Sequence, residues 1–231
     1  LFKSETLWYD RWEQILSLST SSPDLKYVEI VTWNDYGESH YVGPIAPDVS
    51  DDGAAVWTKD MPHTALMDFA GPYIKSFKAG LGEPVIDREM LVYWYRPMMK
   101  DIDCDGTDAC HTRPDGWQFV KDTVFVASFS KTGGTVKVTS GGKVAEKDIG
   151  AGVTMLEFDM AVGDQTFEMT TSTTKLSGKS AQAVLGSCWV SNQQVFGCHL
   201  SFDEADNDGS FCDRTEPLIT LISIPGCSPE Q

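Results

Sequence analysis

The hydrophobic pattern changes period once along this chain, near Asp87, and that break constrains the fold more than any other feature. Before it, apolar residues recur at helical spacing. Leu7, Trp8, Trp12, Ile15 and Leu16 predict an amphipathic helix over residues 4–18, with Ser4 and Thr6 offering N-cap hydroxyls. Leu66, Phe69, Ala70, Tyr73, Ile74 and Phe77 predict a second helix over Thr64–Lys78. Pro72 implies a kink or a late start there, and Gly80 and Gly82 an end. Between the helices, Tyr27–Thr32 is a short β-branched run bounded by turn signals and reads as a strand; the Gly- and Pro-rich stretch 43–53 reads as loop.

Helix, strand, long loop and helix in that order make one repeat of a parallel βα architecture. One such repeat cannot stand alone, because its strand needs partners on both edges and helices over both faces. A closed (β/α)₈ barrel takes about 250 residues, so most of the barrel is expected upstream of Leu1. The chain, which lacks an initiator Met, is accordingly read as a piece of a longer protein.

After Asp87 the period falls to two. Leu91–Tyr95, Thr123–Phe129, Thr135–Thr139, Val153–Met160, Gln165–Thr171, Ala181–Val190, Phe196–Phe202 and Leu218–Ile224 read as strands separated by Gly, Asp and Ser turns. Short strands at such spacing predict a β-sandwich. The expected fold class is therefore α/β plus all-β. Residues 1–87 are the last βα unit of a (β/α)₈ TIM barrel, and residues 88–231 a C-terminal β-sandwich packed on it without a flexible linker.

A net charge of −16 over 231 residues leaves no basic stripe for nucleic acid and disfavours an anionic membrane surface. No apolar run is long enough to span a bilayer. A neutral polymer such as a polysaccharide suits this balance. All six cysteines (Cys104, Cys110, Cys188, Cys198, Cys212 and Cys227) fall in the second half, an even count that points to disulfides and an oxidising, extracellular setting. Near-neighbour pairing would join Cys104 to Cys110, Cys188 to Cys198 and Cys212 to Cys227, one of 15 connectivities that six cysteines allow. No CxxC spacing occurs and the histidines are scattered, so no metal site is expected. Asp101, Asp103 and Asp105 imitate the start of a calcium loop, but the twelfth position is Thr112, and a disulfide-closed acidic turn is the simpler reading.

Chemistry concentrates in Thr32–Tyr41, TWNDYGESHY, directly after the expected strand, where catalytic groups of βα barrels gather. Asp35 and Glu38 supply two carboxylates; Trp33, Asn34, Tyr36, His40 and Tyr41 supply rings, an amide and an imidazole. Glycosidic hydrolysis needs such a set: an acid for the leaving oxygen, a second carboxylate for water or for direct attack, and flat faces for sugar rings. The spacing of Asp35 and Glu38, with Gly37 between them, admits either the wider separation of inverting enzymes or the closer one of retaining enzymes. As arbitrary loop residues they would be turn formers and solvated charges; the crowding of polar and aromatic types at a strand end argues for a site. His63, beside Pro62, reads as a packing or capping residue.

The stretch PDLKYVEIVTWNDYGESHYVGPI resembles glycoside hydrolase family 71, the fungal α-1,3-glucanases or mutanases. LWYDRWEQIL, MPHTALMDFAGPYIKSFKAG and VYWYRP resemble the same family in the same order, over residues 5–97. The resemblance implies a secreted enzyme with a (β/α)₈ barrel and a β-sandwich, which hydrolyses α-1,3-glucan by inversion and takes no metal or organic cofactor. The motif is also similar to the paired acidic motif of glycoside hydrolase family 99. Carried over, Asp35 becomes the general base on water and Glu38 the general acid, with Trp33, Asn34, Tyr36, His40 and Tyr41 around the substrate. The expected partners are α-1,3-glucan and the N-terminal remainder of the enzyme, and the expected action is endo. The rival reading is a non-catalytic glucan-binding sandwich module, which has no need of two acids at that spacing.

Overall fold

The computed structural model describes residues 5–22, 24–46, 58, 61, 63–106 and 117–188. Helix α1 is Leu7–Ser21 and helix α2 is Ala65–Ala79. Thr6 stands at the first N-cap, but its hydroxyl donates to Asp10 rather than capping the backbone. Helix α2 carries Pro72 in its interior and closes on Gly80 in the left-handed region, φ 67°. There Leu81 N–H reaches Ser76 O and Gly80 N–H reaches Phe77 O, which satisfies the last carbonyls.

Among the described residues seven strands follow, all paired antiparallel. Strands β1 (Met90–Trp94), β2 (Thr123–Ser130) and β5 (Gly152–Asp159) form one sheet in the order β1-β2-β5. Strands β3 (Gly134–Ser140), β4 (Lys143–Ile149), β6 (Gln165–Thr171) and β7 (Lys175–Lys179) form a second, ordered β4-β3-β6-β7. The chain is thus a mixed α/β fold rich in antiparallel sheet.

The three-stranded sheet is apolar on both faces. Successive side chains of a strand point to opposite sides, and β1 and β2 use this to serve two cores. Leu91, Tyr93, Val124 and Val126 join Val136, Val138, Phe167 and Met169 of the second sheet in one buried cluster. Met90, Val92, Ala127 and Phe129 turn the other way and meet Trp12, Leu16, Phe69, Ala70 and Tyr73 of the helices. Tyr93 stacks on Phe167 at 3.6 Å between ring centres, and Phe129 sets its edge against Phe69 at 5.1 Å. Burying a side chain of this size contributes about 1.5–3 kcal/mol. The second sheet is polar on its outer face, where Lys137 and Glu168 sit opposite in register and form an ion pair.

Polar contacts fix the helices to the sheet as well. Glu5, just ahead of α1, accepts from Lys121 N–H at 2.7 Å, and its carbonyl takes the Trp94 indole N–H at 2.7 Å. The buried Arg96 guanidinium lies 3.8 Å from the same carboxylate, and burial holds it below its ordinary pKa, at about 10.

Four expectations need correction. Tyr27–Thr32 does not join a sheet among the described residues; Val28 and Ile30 pack toward the helices while Tyr27, Val31 and Trp33 stay exposed. That alternation belongs to an extended segment that pairs with no strand among the described residues. Ala181–Val190 is not a strand over its described part; Val184 and Leu185 make only isolated bridges, to Gly163 and Met98. Strands β4 and β7 lie where none was expected. The fourth concerns the disulfides: Cys104 bonds Cys188, 84 positions away, with Cα atoms 5.7 Å apart. This excludes the expected Cys104–Cys110 and Cys188–Cys198 pairs. Leu185 N–H donates to Pro97 O at 2.7 Å and Met98 bridges Leu185, so the sheet closure brings the two cysteines together. Cys110, Cys198, Cys212 and Cys227 lie outside the described residues, as do the expected strands Phe196–Phe202 and Leu218–Ile224.

Candidate active site

After the extended segment the chain folds into a closed loop. Thr32 N–H donates to His40 O at 3.1 Å, Val42 N–H returns to Thr32 O at 2.9 Å, and Gly43 N–H reaches Trp33 O at 2.9 Å. Inside this closure the backbone turns tightly. Asp35 N–H meets the Thr32 hydroxyl at 2.8 Å, His40 N–H meets Asp35 O at 3.0 Å, and Ser39 takes the left-handed conformation, φ 57°. Polar and turn-forming residue types are what such a loop requires.

The turn brings three functional groups together. One ligand atom each from Asp35, Glu38 and His40 lies within 4.8 Å of the others. Asp35 Oδ1 accepts the Glu38 backbone N–H at 3.0 Å, and Glu38 Oε2 lies 3.3 Å from His40 Nδ1. Asp35 is half-buried and held at both ends; the Glu38 side chain is 67% exposed. Trp33, Asn34 and Gly37 are exposed around the pair. Among the described residues these three groups are also the ones that a divalent cation would use.

Tyr36 and Tyr41 depart from the expected sugar platforms. Both are buried. The Tyr36 hydroxyl donates to Pro44 O at 3.0 Å and accepts Ala46 N–H at 3.1 Å, while the Tyr41 hydroxyl donates to Met61 O. Their rings meet at 5.0 Å, and His63 stacks on Tyr41 at 3.7 Å, nearly parallel. A loop displaying charges needs an apolar footing, and these tyrosines supply it. Trp33, Asn34 and His40 remain at the surface.

Two residues at this site had no reading as functional from sequence. Gly43 lies under Trp33, and nothing in the sequence pattern reports that approach. His63 read as packing, and the structure gives it a defined post. Its Nδ1 is 2.7 Å from Tyr41 O, a carbonyl, so Nδ1 must carry the proton and donate. Burial drives its pKa down to about 3, with His40 pushing the same way and the Tyr41 hydrogen bond opposing. A neutral folded histidine that becomes charged on unfolding makes the unfolded chain bind the extra proton. Its contribution is therefore intact above about pH 6.5, the ordinary histidine value, and declines as pH falls toward about 3. Thermal unfolding followed from pH 7 to pH 4 is expected to show a shallower loss of Tm in His63→Phe than in the parent. Parallel curves would mean that His63 titrates alike in both states.

Residues 1–203 match the model of glycosyl hydrolase family 71. The chain belongs to that family. Among curated relatives, a mutanase of Penicillium rubens is 38% identical over 198 residues, covering 85% of this chain and 43% of the relative. A glucan endo-1,3-alpha-glucosidase of Schizosaccharomyces pombe is 38% identical over 140 residues, covering 61% of this chain and 31% of the relative. An ascus wall endo-1,3-alpha-glucanase of the same yeast is 32% identical over 160 residues, 66% of this chain and 35% of the relative. This family 71 chain thus spans less than half the length of the curated relatives it matches. No solved structure matches it, and no described helix is long and apolar enough to cross a membrane.

Proposed function

We propose that this chain is the C-terminal part of a secreted, endo-acting α-1,3-glucan hydrolase whose acid–base pair is Asp35 and Glu38. The observation that carries the reading is the convergence of both carboxylates and His40 within 4.8 Å, beside an exposed indole. Relatives named as mutanase and endo-acting α-1,3-glucanases supply the substrate and the mode of cleavage. The Cys104–Cys188 disulfide suits an extracellular setting.

Residues 1–87 are the last βα unit of a (β/α)₈ barrel and residues 88–231 a β-sandwich, with the remainder of the barrel in the rest of the enzyme. The two-faced segment 27–33 supports the first assignment. Its inward residues Val28 and Ile30 already meet the helices, and its outward residues Tyr27 and Val31 are what a barrel interior would cover, ahead of the site that begins at Trp33. The apolar cluster shared by the two sheets supports the second.

In the reaction, Glu38 protonates the glycosidic oxygen and Asp35 takes a proton from the attacking water. The anchored carboxylate suits the base, whose water must be aimed. The solvent-facing one suits the acid, which meets the departing sugar. Inversion needs roughly 6.5–9.5 Å between the groups to admit that water. One oxygen of each group lies within 4.8 Å of the other here, and a turn of Glu38 away from His40 as substrate enters would widen the gap. Its exposure leaves that rotation free.

The test uses the natural full-length protein on insoluble α-1,3-glucan, with reducing sugar and the first-formed anomer followed by NMR. Release of the β-anomer is expected. Release of the α-anomer would mean that the pair works at its present spacing through a glycosyl-enzyme. Binding without any sugar release would replace the hydrolase with a glucan-binding module.

A further inference from the structure

The indole of Trp33 has an unusual support. A Cβ built on Gly43 would lie 2.7 Å from Trp33 Cε2 and 2.8 Å from Cδ2, the two atoms shared by the fused rings. In the plane of the indole, ring atoms block every approach to that shared bond. The near-equal distances therefore place Gly43 against the ring face, beneath its centre. The same Cβ would come within 2.7 Å of Trp33 O, the carbonyl that accepts the Gly43 N–H. No φ in the left-handed region is involved, so the demand for glycine here is one of space. With one face of its ring seated on bare backbone, Trp33 remains 58% exposed. It stands two residues from Asp35.

We propose that Trp33 and Gly43 form one unit: an indole platform for a glucose ring next to the acid pair, whose height and tilt are set by the absence of a side chain at position 43. This rests on the hydrolase reading above and adds a positioning residue to it. Gly43 touches no substrate; it acts through Trp33. An indole presents a flat apolar body suited to the apolar face of a pyranose. An added methyl would lift the ring from its seat or push the loop at Trp33 O. Either displacement tilts the bound sugar relative to Asp35 and Glu38.

A double-mutant cycle on the natural full-length protein tests this, with kcat and KM on α-1,3-glucan oligosaccharides and depletion binding to the insoluble polymer. Trp33→Ala is expected to raise KM about tenfold with a smaller change in kcat, the mark of a group that binds ground and transition states alike. Gly43→Ala should raise KM by a similar factor. The double variant should fall short of the product of the two single effects, because with the ring gone the methyl meets only the carbonyl of residue 33. Independent, multiplying effects would overturn the coupling, and so would an unchanged KM in Gly43→Ala. An unchanged KM in Trp33→Ala, with hydrolysis intact, would overturn the platform and leave the hydrolase standing. A parent protein that releases no sugar would remove the hydrolase reading and the platform together. If Gly43→Ala alone does not fold, its recovery in the Trp33→Ala background supports the proposal. Failure in both backgrounds means that the backbone, not the indole, requires the glycine.

Discussion

Replacing Asp35 with Asn or Glu38 with Gln is expected to lower α-1,3-glucan hydrolysis by roughly a thousandfold each, within the range for lost acid or base catalysis. Both changes keep the side-chain shape. An asparagine at 35 can still accept the Glu38 N–H that Asp35 Oδ1 now takes at 3.0 Å, so the loop should hold. Glucan binding should persist, since Trp33, Asn34 and Gly43 are untouched. The two variants should then separate on a substrate with an easily departing group. Glu38→Gln should recover much of its rate, because such a group needs little protonation, and Asp35→Asn should not. Recovery by Asp35→Asn instead would exchange the two roles. Either variant keeping more than a tenth of the parent rate would end the mechanism.

The double change Cys104→Ser with Cys188→Ser should produce the largest loss of stability. The bond closes a separation of 84 residues. In the chain-entropy picture a closure of that length contributes about 4.5 kcal/mol by restricting the unfolded chain. The enclosed segment holds β2 to β7, so both sheets benefit. For a protein of this size the loss corresponds to a fall in Tm of about 10 °C. Leu185 N–H to Pro97 O and the backbone ladders do not involve the sulfurs, so the native arrangement should survive the change. Calorimetry on oxidised parent and variant reads the effect directly. A Tm within a degree or two would mean that the unfolded chain is already compact around this closure.

The elements that periodicity identified are those with a strong apolar contrast. Trp12 and Leu16 of α1, Phe69 and Tyr73 of α2, and the alternating residues of β1 and β2 all announce a buried side. Strand β4 has no such contrast: Lys143–Asp148 are all exposed, as suits an edge, and only Ile149 is buried. In β7 Leu176 alone is buried among lysines and small residues. The run 27–32 has strand chemistry, but pairing is a property of two segments, and composition reports only one. That Asp35 and Glu38 would lie close together was legible because both acids crowd into one turn. The duties of Tyr36 and Tyr41 were not, because a ring beside two acids has the same sequence whether it faces outward or props the loop from below. Cysteine pairing failed for a related reason: proximity along the chain carries little weight once folding can bring residues 84 positions apart within 5.7 Å.

The three-stranded sheet with two apolar faces bears on how such a protein can be cut or recombined. A module spliced between enzymes normally travels with a finished exterior. A break near residue 87 would instead strip Met90, Val92, Ala127 and Phe129 of their covering and bare Phe69 and Tyr73 opposite them. Grafting the β-rich half onto another catalyst would therefore transplant an adhesive wall rather than a free-standing appendage. Protease nicking at that seam should leave the halves associated rather than release either one.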